Sequence, residues 1–574
     1  MRQSLRWCAH WSRVVLEKSR EDVANATLQV RRETPSQAGP LEATQLCYCM
    51  IVVGFHRDSK EIFSNPQGSA LPWPMNAGSP DRSRGLHLLD QVRRNFLGLR
   101  TTYPVVNGGF RARCYLDSAA STLMMADAHE VGKRFLAHYA NTHSQLHYGA
   151  SIASDSYHWA HKKVLSFTGA DADRYLCIFT GSGSTSGLNH VARLLAASRP
   201  SRDLVFVSRM EHHSNDLPHR RHAGRVIHFS AQCESDDVRG SNLELQEALE
   251  THGSKVNYVA VSGASNVTGI INPIHEIAEM VHRVGALIVV DASQLIGHAP
   301  FKTCEPNHPE RDIDFVVFSG HKVYAPGSPG VIVGLRSVLA KLEPYDLGGG
   351  TVDAVYLNRH ELTDALPERH EAGTPNVLGA VTLGIALEIL ERIGVDIVYE
   401  ESNTLVQRAL VGLSQSGRVR LYGSTDLGLA PRTGIISFNL EGLDHGMVAA
   451  ALNDYHNVAV RNECFCAQPY VRDLLKSEPW AVGRVLDEFD QRERASLRLK
   501  MGMVRASFGL YTTPTDIDAL IAGVCDIMDQ QEYYRSVYQT DAEGNYRHRN
   551  GVSSQRLFDP VEALEEVLSE RLSA

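Results

Sequence analysis

The sequence predicts an α/β fold with a largely parallel sheet in the middle of the chain. Short apolar runs with the length of buried strands recur there, at residues 176–179, 204–207, 258–261, 287–290 and 315–318. Continuous apolar runs of this kind fit parallel strands that are covered on both faces. Between them lie patterns with helical spacing, such as Leu188, Val191 and Leu195. Strands that alternate with helices imply an α/β architecture.

The N-terminal part of the sequence, before this region, predicts little regular structure. Residues 1–85 show no sustained periodicity, and residues 65–84 are dense in Pro, Gly, Ser and Asn. This composition predicts an extension or linker that is poorly ordered. Apolar residues from Leu88 to Leu97 then recur at helical spacing and mark the beginning of order.

The segments after this region predict a second, smaller unit. Residues 377–414 are rich in Ala, Leu, Ile and Glu and predict helix, whereas Gly434–Leu440 and Asn457–Val460 predict strands. The end of the chain is polar and then helical. We therefore expect a large α/β domain, a small α+β domain and a tail, at residues 86–385, 386–530 and 531–574.

Composition excludes several classes of protein. The 574 residues are 43% hydrophobic and 21% charged with a net charge of −9, which predicts an ordinary globular protein without a nucleic-acid footprint. The longest apolar runs, such as 47–55, fall well short of the roughly 20 residues that span a bilayer. Ten cysteines without framework spacing indicate a reducing compartment, and hence the cytoplasm. Early arginines leave an organellar transit segment as the alternative.

The strongest local motif is Ser319-Gly320-His321-Lys322, which directly follows the apolar run 315–318. Ligands bind beyond the carboxyl ends of strands in open α/β sheets. A lysine there can be desolvated, which lowers its pKa enough for it to form an imine with an aldehyde. For an isolated Gly-His-Lys, the alternative is a lysine in a surface turn.

Two further strand ends carry polar residues. Asp291 ends the run 287–290, where a carboxylate can pair with a protonated ring nitrogen, and Gln294 follows it. The run 176–179 leads into a Gly- and Ser-rich loop, in which Ser184 and Thr185 form an anion site at a helix N-terminus. Helix capping is the alternative at both places, and no Gly-Lys-Ser/Thr closes the loop as in a nucleotide-binding P-loop.

Paired histidines follow the run 204–207, in the stretch Glu211-His212-His213-Ser214-Asn215. The imidazole of His212 can stack on an aromatic cofactor. Paired histidines also occur in metal sites, but no second cluster with ligand spacing follows, so we expect no metal. A turn of solvated histidines is the remaining alternative.

In this order along the chain, the four motifs resemble the fold type I pyridoxal 5′-phosphate (PLP) enzymes. The resemblance is to the class V aminotransferase family and its cysteine desulfurase and selenocysteine lyase branch. It implies a large domain with a mainly parallel seven-stranded sheet and a smaller α+β C-terminal domain with an active-site cysteine loop. The matching stretches are 115–122, 179–192, 210–220, 265–274, 289–298, 319–330, 373–376 and 504–520.

The resemblance implies a role for each matching residue at the cofactor. Lys322 would carry PLP as a Schiff base and move the proton at the substrate α-carbon. Asp291 would hold the pyridinium, Gln294 the phenolate oxygen, and His212 would stack on the ring. The residues implied to hold the phosphate are Ser184, Thr185, Ser319 and His321.

The resemblance also implies substrate contacts and a partner. Arg505 matches the arginine that binds the substrate carboxylate, and Asn266 matches a contact to cofactor or substrate. Thr374 matches a threonine that reaches the phosphate of the neighbouring subunit, which implies a homodimer with shared active sites.

The reaction depends on the stretch from Arg461 to Pro469, where Cys466 matches the nucleophilic cysteine of the branch. Its thiolate would take sulfur or selenium from cysteine or selenocysteine, leaving alanine and an enzyme persulfide for a sulfur-acceptor protein. Arg461, five residues earlier, would help to stabilise that thiolate. The usual Gly-His-His before the cysteine is replaced by Glu463-Cys464-Phe465, so that Cys464 is either a relay or resolving thiol or a bystander.

Three other functions remain open from the sequence. A C–S lyase or an epimerase-like class V enzyme would act without a persulfide, but such members commonly lack the cysteine. A catalytically silent scaffold with this fold would not need Lys322 and Asp291. A nicotinamide oxidoreductase would use an acidic residue such as Asp203 after the glycines, but the motif around Lys322 would then have no purpose.

Overall fold

The computed structural model of the protein describes residues 82–142, 144–230, 240–475, 501–551 and 557–573. The predicted extension over residues 1–85 therefore lies almost entirely outside the described residues. In the described ranges, none of the helices is long and apolar enough to cross a membrane.

A seven-stranded sheet forms the centre of the large domain. Its strands in chain order, β1 to β7, are Tyr175–Thr180, Leu204–Ser208, Arg225–Phe229, Val256–Ser262, Leu287–Asp291, Phe315–Ser319 and Gly330–Leu335. The spatial order is β1-β7-β6-β5-β4-β2-β3. Strand β7 runs antiparallel to both of its neighbours, and the pairs formed by the other strands are parallel. The predicted α/β fold with a mainly parallel seven-stranded sheet is confirmed.

Alternate residues of the strands face two separate apolar clusters, as expected for a sheet that is covered on both faces. In β6, Val316 and Phe318 belong to one cluster, whereas Val317 belongs to the other. The helices of this domain include Arg82–Val92, Ala126–Leu136, Tyr148–Phe167, Gly183–Ser198, Leu217–His222, Gly240–His252, Ile274–Arg283, Arg336–Leu339 and Val377–Ile393. Burial on both faces explains why these strands read as continuous apolar runs.

A four-stranded antiparallel sheet organises the smaller domain. Its strands, β8 to β11, are Val419–Tyr422, Ile435–Leu440, Arg461–Glu463 and Met503–Ser507, in the spatial order β8-β9-β11-β10. The helices around it include Val395–Ser414, His445–His456, Gln468–Leu475, Pro514–Asp529 and Gln531–Val537. The helix Pro514–Asp529 begins with a capping box, in which the side chains of Thr513 and Asp516 satisfy each other's backbone amides.

Short two-stranded pairs lie outside the two larger sheets. They join Thr102–Pro104 to Phe110–Ala112, Cys114–Tyr115 to Val458–Ala459, Val352–Val355 to His360–Leu362, and Tyr538–Thr540 to Tyr546–His548. The pair formed by Cys114–Tyr115 and Val458–Ala459 is parallel. It joins a segment that precedes the seven-stranded sheet in the chain to the small domain. The last helix is Pro560–Ser573.

Several predicted boundaries differ from the observed ones. The first helix ends at Val92 rather than Leu97, because Phe96 leaves it to form a β-bridge with Met125. The predicted helix over 377–414 is two helices, separated by Gly394 with a φ of 95°. Strands β3 and β7 were not predicted, and the polar start of the tail contains a hairpin. The division of the chain at residues 385 and 530 stays a prediction.

Candidate active site

The carboxyl ends of β5 and β6 bring Asp291 and Lys322 into one site. Asp291 is the last residue of β5, and Lys322 lies in a helical turn, Gly320–Lys322, directly after β6. These strands are parallel neighbours, so their carboxyl ends meet at one edge of the sheet. Asp291 is buried, and its carboxylate interacts electrostatically with the Lys322 amine. The structure therefore places the amine and the carboxylate as the two strand-end motifs predict.

The turn that carries Lys322 is held on both sides by hydrogen bonds. Thr122 donates from its backbone amide and its hydroxyl to the carbonyl of His321, at 3.1 Å and 3.0 Å. His298 lies 3.0 Å from the carbonyl of Lys322 through Nε2. Burial lowers the pKa of the Lys322 amine, and Asp291 opposes this shift by favouring the charged form. A fixed amine that loses its proton readily is suited to react with an aldehyde.

A tight turn at the N-terminus of the helix Gly183–Ser198 meets the end of β6. The amide of Ser184 donates to Oγ of Ser319 at 2.7 Å, and the Ser319 hydroxyl donates to Oγ of Ser184 at 3.0 Å. Gly183 has a φ of 59°, and a Cβ atom on it would lie 2.7 Å from Ser319 Oγ. Position 330 also has no room for a side chain, because a Cβ atom on Gly330 would collide with the Gly183 carbonyl. This close packing leaves hydroxyls and amides together at a helix N-terminus, where an anion is favoured.

Two more predicted phosphate contacts lie at the rim of this turn. Thr185 Oγ1 is 2.7 Å from Oγ of Ser214, so its hydroxyl is paired with the histidine-containing turn. His321 Nδ1 is 3.2 Å from Oγ of Ser121. Burial lowers the pKa of His321 to about 4, and the positive charge of Lys322 adds to this shift. A neutral imidazole at this position can donate one hydrogen bond to an anion.

His212 lies beside the amine and is a neutral ring. Its Nδ1 accepts a hydrogen bond from the amide of Ser214 at 3.1 Å. Burial lowers the pKa of His212 to about 3, and the charge of Lys322 contributes. An uncharged imidazole is the form that stacks on an aromatic ring without repelling a cation beneath it.

Beneath His212, the buried carboxyl of Glu211 accepts several hydrogen bonds. Ser262 donates from its amide and its hydroxyl, at 2.8 Å and 2.6 Å, and Asn215 donates at 2.5 Å. Burial raises the pKa of Glu211 to about 8, and the Asp291 carboxylate adds a smaller contribution. Glu211 is therefore mostly a neutral carboxyl group near neutral pH.

Two arginines from neighbouring strands converge on Asp117. Arg461 in β10 and Arg505 in β11 are partners in the strand register. Arg505 is buried and donates to Asp117 Oδ1 at 3.1 Å and to the carbonyl of Asn266 at 2.9 Å. Arg461 is half-exposed and lies 3.9 Å from Asp117 Oδ2. Nε of Arg505 has no hydrogen-bond partner within the described part of the chain, so this buried guanidinium keeps a free donor.

Cys466 lies exposed on the loop that follows β10. The backbone of this loop is in the left-handed region at Glu463, Phe465 and Cys466, with φ values of 88°, 53° and 56°. Two contacts from the large domain hold it: the amide of His213 donates to the Cys466 carbonyl at 2.7 Å, and Asn266 donates to the Phe465 carbonyl at 2.7 Å. Cys466 also interacts electrostatically with Lys322 and Arg505. The loop thus brings the thiol to the Lys322 site.

Two of the predicted site residues have contacts that differ from their implied ones. Gln294 is buried, and its Nε2 donates to the carbonyl of Ala119 at 2.7 Å. Thr374 is exposed, and Asn141 donates to its hydroxyl at 3.1 Å. Among the described residues, no hydrogen bond, ion pair or ring contact joins Thr374 to the other predicted site residues. Its implied contact to a neighbouring subunit stays a prediction.

Four residues of the site were not assigned from the sequence: Asp117, Glu211, His213 and Ser214. Each lies inside a stretch that carries the resemblance, so the stretches themselves were the available signal. Their partners are distant in sequence, as for Asp117 and Arg505, which are 388 positions apart. In the part of the chain that the structure covers, no group of three or more His, Cys, Asp or Glu side chains is placed to hold a metal ion.

Comparison with known proteins identifies the family. The class V aminotransferase model, described as "Aminotransferase class-V", matches residues 114–520. The chain belongs to the class V aminotransferase family. This confirms the family that the motifs predict, a family of enzymes, and the family implies PLP as the cofactor.

Relatives within the family agree with the predicted branch. A probable cysteine desulfurase from Halalkalibacterium halodurans is 33% identical over 430 residues, 74% of this chain and 94% of the relative. A cysteine desulfurase from Dickeya dadantii is 30% identical over 440 residues, 76% of this chain and 96% of the relative.

Solved structures give the same result. The apo cysteine desulfurase from Thermococcus onnurineus NA1 has a TM-score of 0.63 and 28% identity, over 77% of this chain and 98% of that one. The cysteine desulfurase CsdA from Escherichia coli, in an S-sulfonic acid form, has a TM-score of 0.61 and 26% identity, over 77% and 98% of the two chains. This class V protein therefore shares both fold and sequence with cysteine desulfurases.

Proposed function

We propose that this class V protein is a PLP-dependent cysteine desulfurase, which takes sulfur from L-cysteine, or selenium from selenocysteine, and releases alanine. The observation that carries this proposal is the position of Cys466, an exposed thiol on a loop anchored at the Lys322 site. A class V enzyme that only eliminates sulfide or inverts a carbon centre has no use for such a thiol. The substrate sulfur would remain on Cys466 as a persulfide.

The residues present fit the cofactor. Gly183 and Gly330 let the helix N-terminus and the end of β6 meet closely, and the amide of Ser184 and the hydroxyls of Ser184 and Ser319 form a cradle there that suits a phosphate. The buried carboxylate of Asp291 suits a protonated ring nitrogen, and Lys322 would bind the aldehyde through its amine. When bound, PLP supplies an electron sink for bonds at the substrate α-carbon.

The residues around this cradle would position the substrate. The buried guanidinium of Arg505, with its free Nε, would bind the substrate carboxylate, and Asp117 and Asn266 fix its orientation. A substrate whose carboxylate is held there would lie near Cys466, which interacts electrostatically with Arg505. Lys322 would accept the α-proton and return one to the carbon that becomes the methyl group of alanine. Arg505 and Lys322 both interact electrostatically with Cys466, so the thiol that would attack the substrate sulfur lies near both basic groups.

The sulfur-transfer step is a displacement at the substrate sulfur. The Cys466 thiolate attacks this sulfur, an S–S bond forms, and the bond between sulfur and the substrate β-carbon breaks. The electron pair of the broken bond remains with the substrate, which leaves as alanine after protonation. A thiol, either small or on an acceptor protein, would then take the terminal sulfur from Cys466.

A substrate panel tests this proposal directly. The PLP-loaded protein is given L-cysteine, L-selenocysteine and a cysteine thioether, and sulfide or selenide, alanine and pyruvate are measured. Alanine formed in proportion to sulfide, with thiol present, supports a desulfurase. Pyruvate in place of alanine would make the protein a C–S lyase and would contradict the proposal.

Replacement of Arg505 by lysine tests the carboxylate site. Lysine keeps the charge but loses the planar, forked geometry that pairs with a carboxylate. The loss of one charge-assisted contact is worth about 1.5–3 kcal/mol, so we expect KM for L-cysteine to rise roughly 10- to 100-fold. Arg420→Lys, on the exposed face of β8, is the matched control. An unchanged KM in Arg505→Lys would remove Arg505 from the substrate site.

We also propose that two copies form a homodimer with shared active sites. Thr374 supports this proposal, because its hydroxyl lies on the exposed surface, where a second copy could reach it. Sedimentation of the PLP-loaded protein would show a dimer. A monomer that retains full desulfurase activity would contradict it.

We further propose that the protein works in the cytoplasm. The cysteines that the structure describes are free thiols, which suits a reducing compartment. Imaging of the tagged full-length chain tests this, and accumulation in an organelle or outside the cell would contradict it.

A further inference from the structure

A second thiol lies within the same loop as Cys466. Cys464 is half-buried and packs against an apolar cluster, whereas Cys466 is exposed. The backbone of Cys466 lies close enough to the Cys464 thiol to counteract the rise in its pKa that burial causes. The side chain of Cys464 is therefore directed towards the backbone of Cys466 and lies beside it.

The backbone between the two cysteines is a tight turn. The amide of Ala467 donates to the carbonyl of Cys464 at 2.9 Å, and Phe465 and Cys466 both have positive φ values, 53° and 56°. The ends of a β-turn lie within about 7 Å of each other. Two virtual Cα–Cα bonds of about 3.8 Å join Cys464 to Cys466, and the bend of the turn brings their Cα atoms to roughly 5–6 Å, within the roughly 4.4–6.8 Å that disulfides span.

We propose that Cys464 is a resolving thiol, which displaces the transferred sulfur from Cys466 as hydrosulfide and closes a Cys464–Cys466 disulfide. This inference rests on the proposed function, because that reaction forms the Cys466 persulfide. The loop contacts from His213 and Asn266 hold the backbone carbonyls of Cys466 and Phe465, and neither contact involves a thiol.

The step is balanced without an added oxidant. The Cys464 thiolate attacks Sγ of Cys466, the S–S bond of the persulfide breaks, and its electron pair leaves with the terminal sulfur. The proton of the Cys464 thiol ends on the hydrosulfide or in solvent. The terminal sulfur is reduced and the Cys464 sulfur is oxidised, while Cys466 keeps the oxidation level that it has in the persulfide. A small thiol or a dithiol protein then reduces this disulfide before the next turnover.

The different surroundings of Cys464 and Cys466 determine the order in which the two thiols react. Burial raises the pKa of Cys464, so only a small fraction of it is thiolate near neutral pH. Cys466 is the exposed thiol of the pair, and it lies near Lys322 and Arg505, where the substrate would bind. Cys466 therefore reacts with substrate first, and Cys464 acts on the persulfide afterwards. An acceptor protein that arrives earlier would take the sulfur before it is released as sulfide.

A single turnover without reductant tests the proposal. The PLP-loaded protein is given one equivalent of L-cysteine under anaerobic conditions, and alanine, sulfide and the mass of the unreduced loop are measured. We expect one sulfide per alanine and a loop about 2 Da lighter than the dithiol form. In Cys464→Ser, sulfide per alanine should fall at least about tenfold, and the loop should be about 32 Da heavier, with the extra sulfur on Cys466.

Cys525 provides the matched control for this test. Cys525→Ser, a half-buried cysteine in the helix Pro514–Asp529, should keep one sulfide per alanine. Wild-type protein that forms alanine but keeps the sulfur on Cys466, or moves it to Cys464 as a persulfide, would overturn the resolving role. Absence of alanine would instead overturn the proposed function, so the two failures are distinguishable.

Discussion

Lys322→Ala is expected to abolish turnover of L-cysteine, with a loss of at least ~10³-fold, and to abolish covalent retention of PLP. The lost amine is the group that would bind the cofactor aldehyde and move the substrate α-proton, so both functions would be lost together. Wild-type protein treated with PLP should be yellow, and borohydride should fix the cofactor to the peptide that contains Lys322. The measurements are the absorption spectrum, the mass of the reduced peptide and the rate of alanine formation.

Lys341→Ala is the control for this prediction. Lys341 is an exposed lysine beyond the helix Arg336–Leu339, outside the site, and its replacement should leave colour and rate unchanged. Should the wild-type protein stay colourless after incubation with PLP, or should Lys322→Ala still attach the cofactor covalently, the assignment of Lys322 would be wrong.

Cys466→Ala is expected to separate cofactor binding from sulfur transfer. Formation of alanine and sulfide from L-cysteine should fall by about 10³-fold, because the nucleophile that takes the sulfur is missing. The yellow colour should remain, since Cys466 lies on the small-domain loop rather than among the residues of the cofactor cradle. Addition of L-cysteine should still change the spectrum, which shows that the substrate binds and that only the later step fails.

Cys304→Ala is the matched control, because Cys304 is a half-buried free cysteine that lies away from the loop. It should keep the wild-type rate of alanine formation. If Cys466→Ala released sulfide at the wild-type rate, the thiol would not be the nucleophile, and a C–S lyase would explain the site better. The identity of the other product, alanine or pyruvate, would then decide between the two reactions.

Much of the site could be predicted from sequence because its main residues come directly after buried strands. Asp291 ends β5 and Lys322 follows β6, and the parallel arrangement of these strands brings their ends together whatever the details of packing. Gly183 and Gly330 could likewise be recognised from the local sequence, because a glycine often marks a place where the backbone approaches another segment closely.

Other features depended on contacts between distant segments. No local pattern indicates that Asp117 joins Arg461 and Arg505, since those arginines meet only when β10 pairs with β11. Strand β7 was missed because its apolar residues follow a glycine-rich motif closely, and strand β3 because its burial is only partial. The end of the first helix at Val92 depends on the β-bridge between Phe96 and Met125.

The amino-acid sequence by itself determined the α/β architecture, the family and the chemical character of the strand ends, because periodicity and strand-end residues are local properties. Only the tertiary structure decided how the Cys466 loop meets the Lys322 site, through His213 and Asn266, and how Cys464 lies beside its neighbour. The physical reason is that the loop is held by hydrogen bonds between distant segments, such as the one between Asn266 and Phe465, which are 199 positions apart. Chain folding alone brings such partners together.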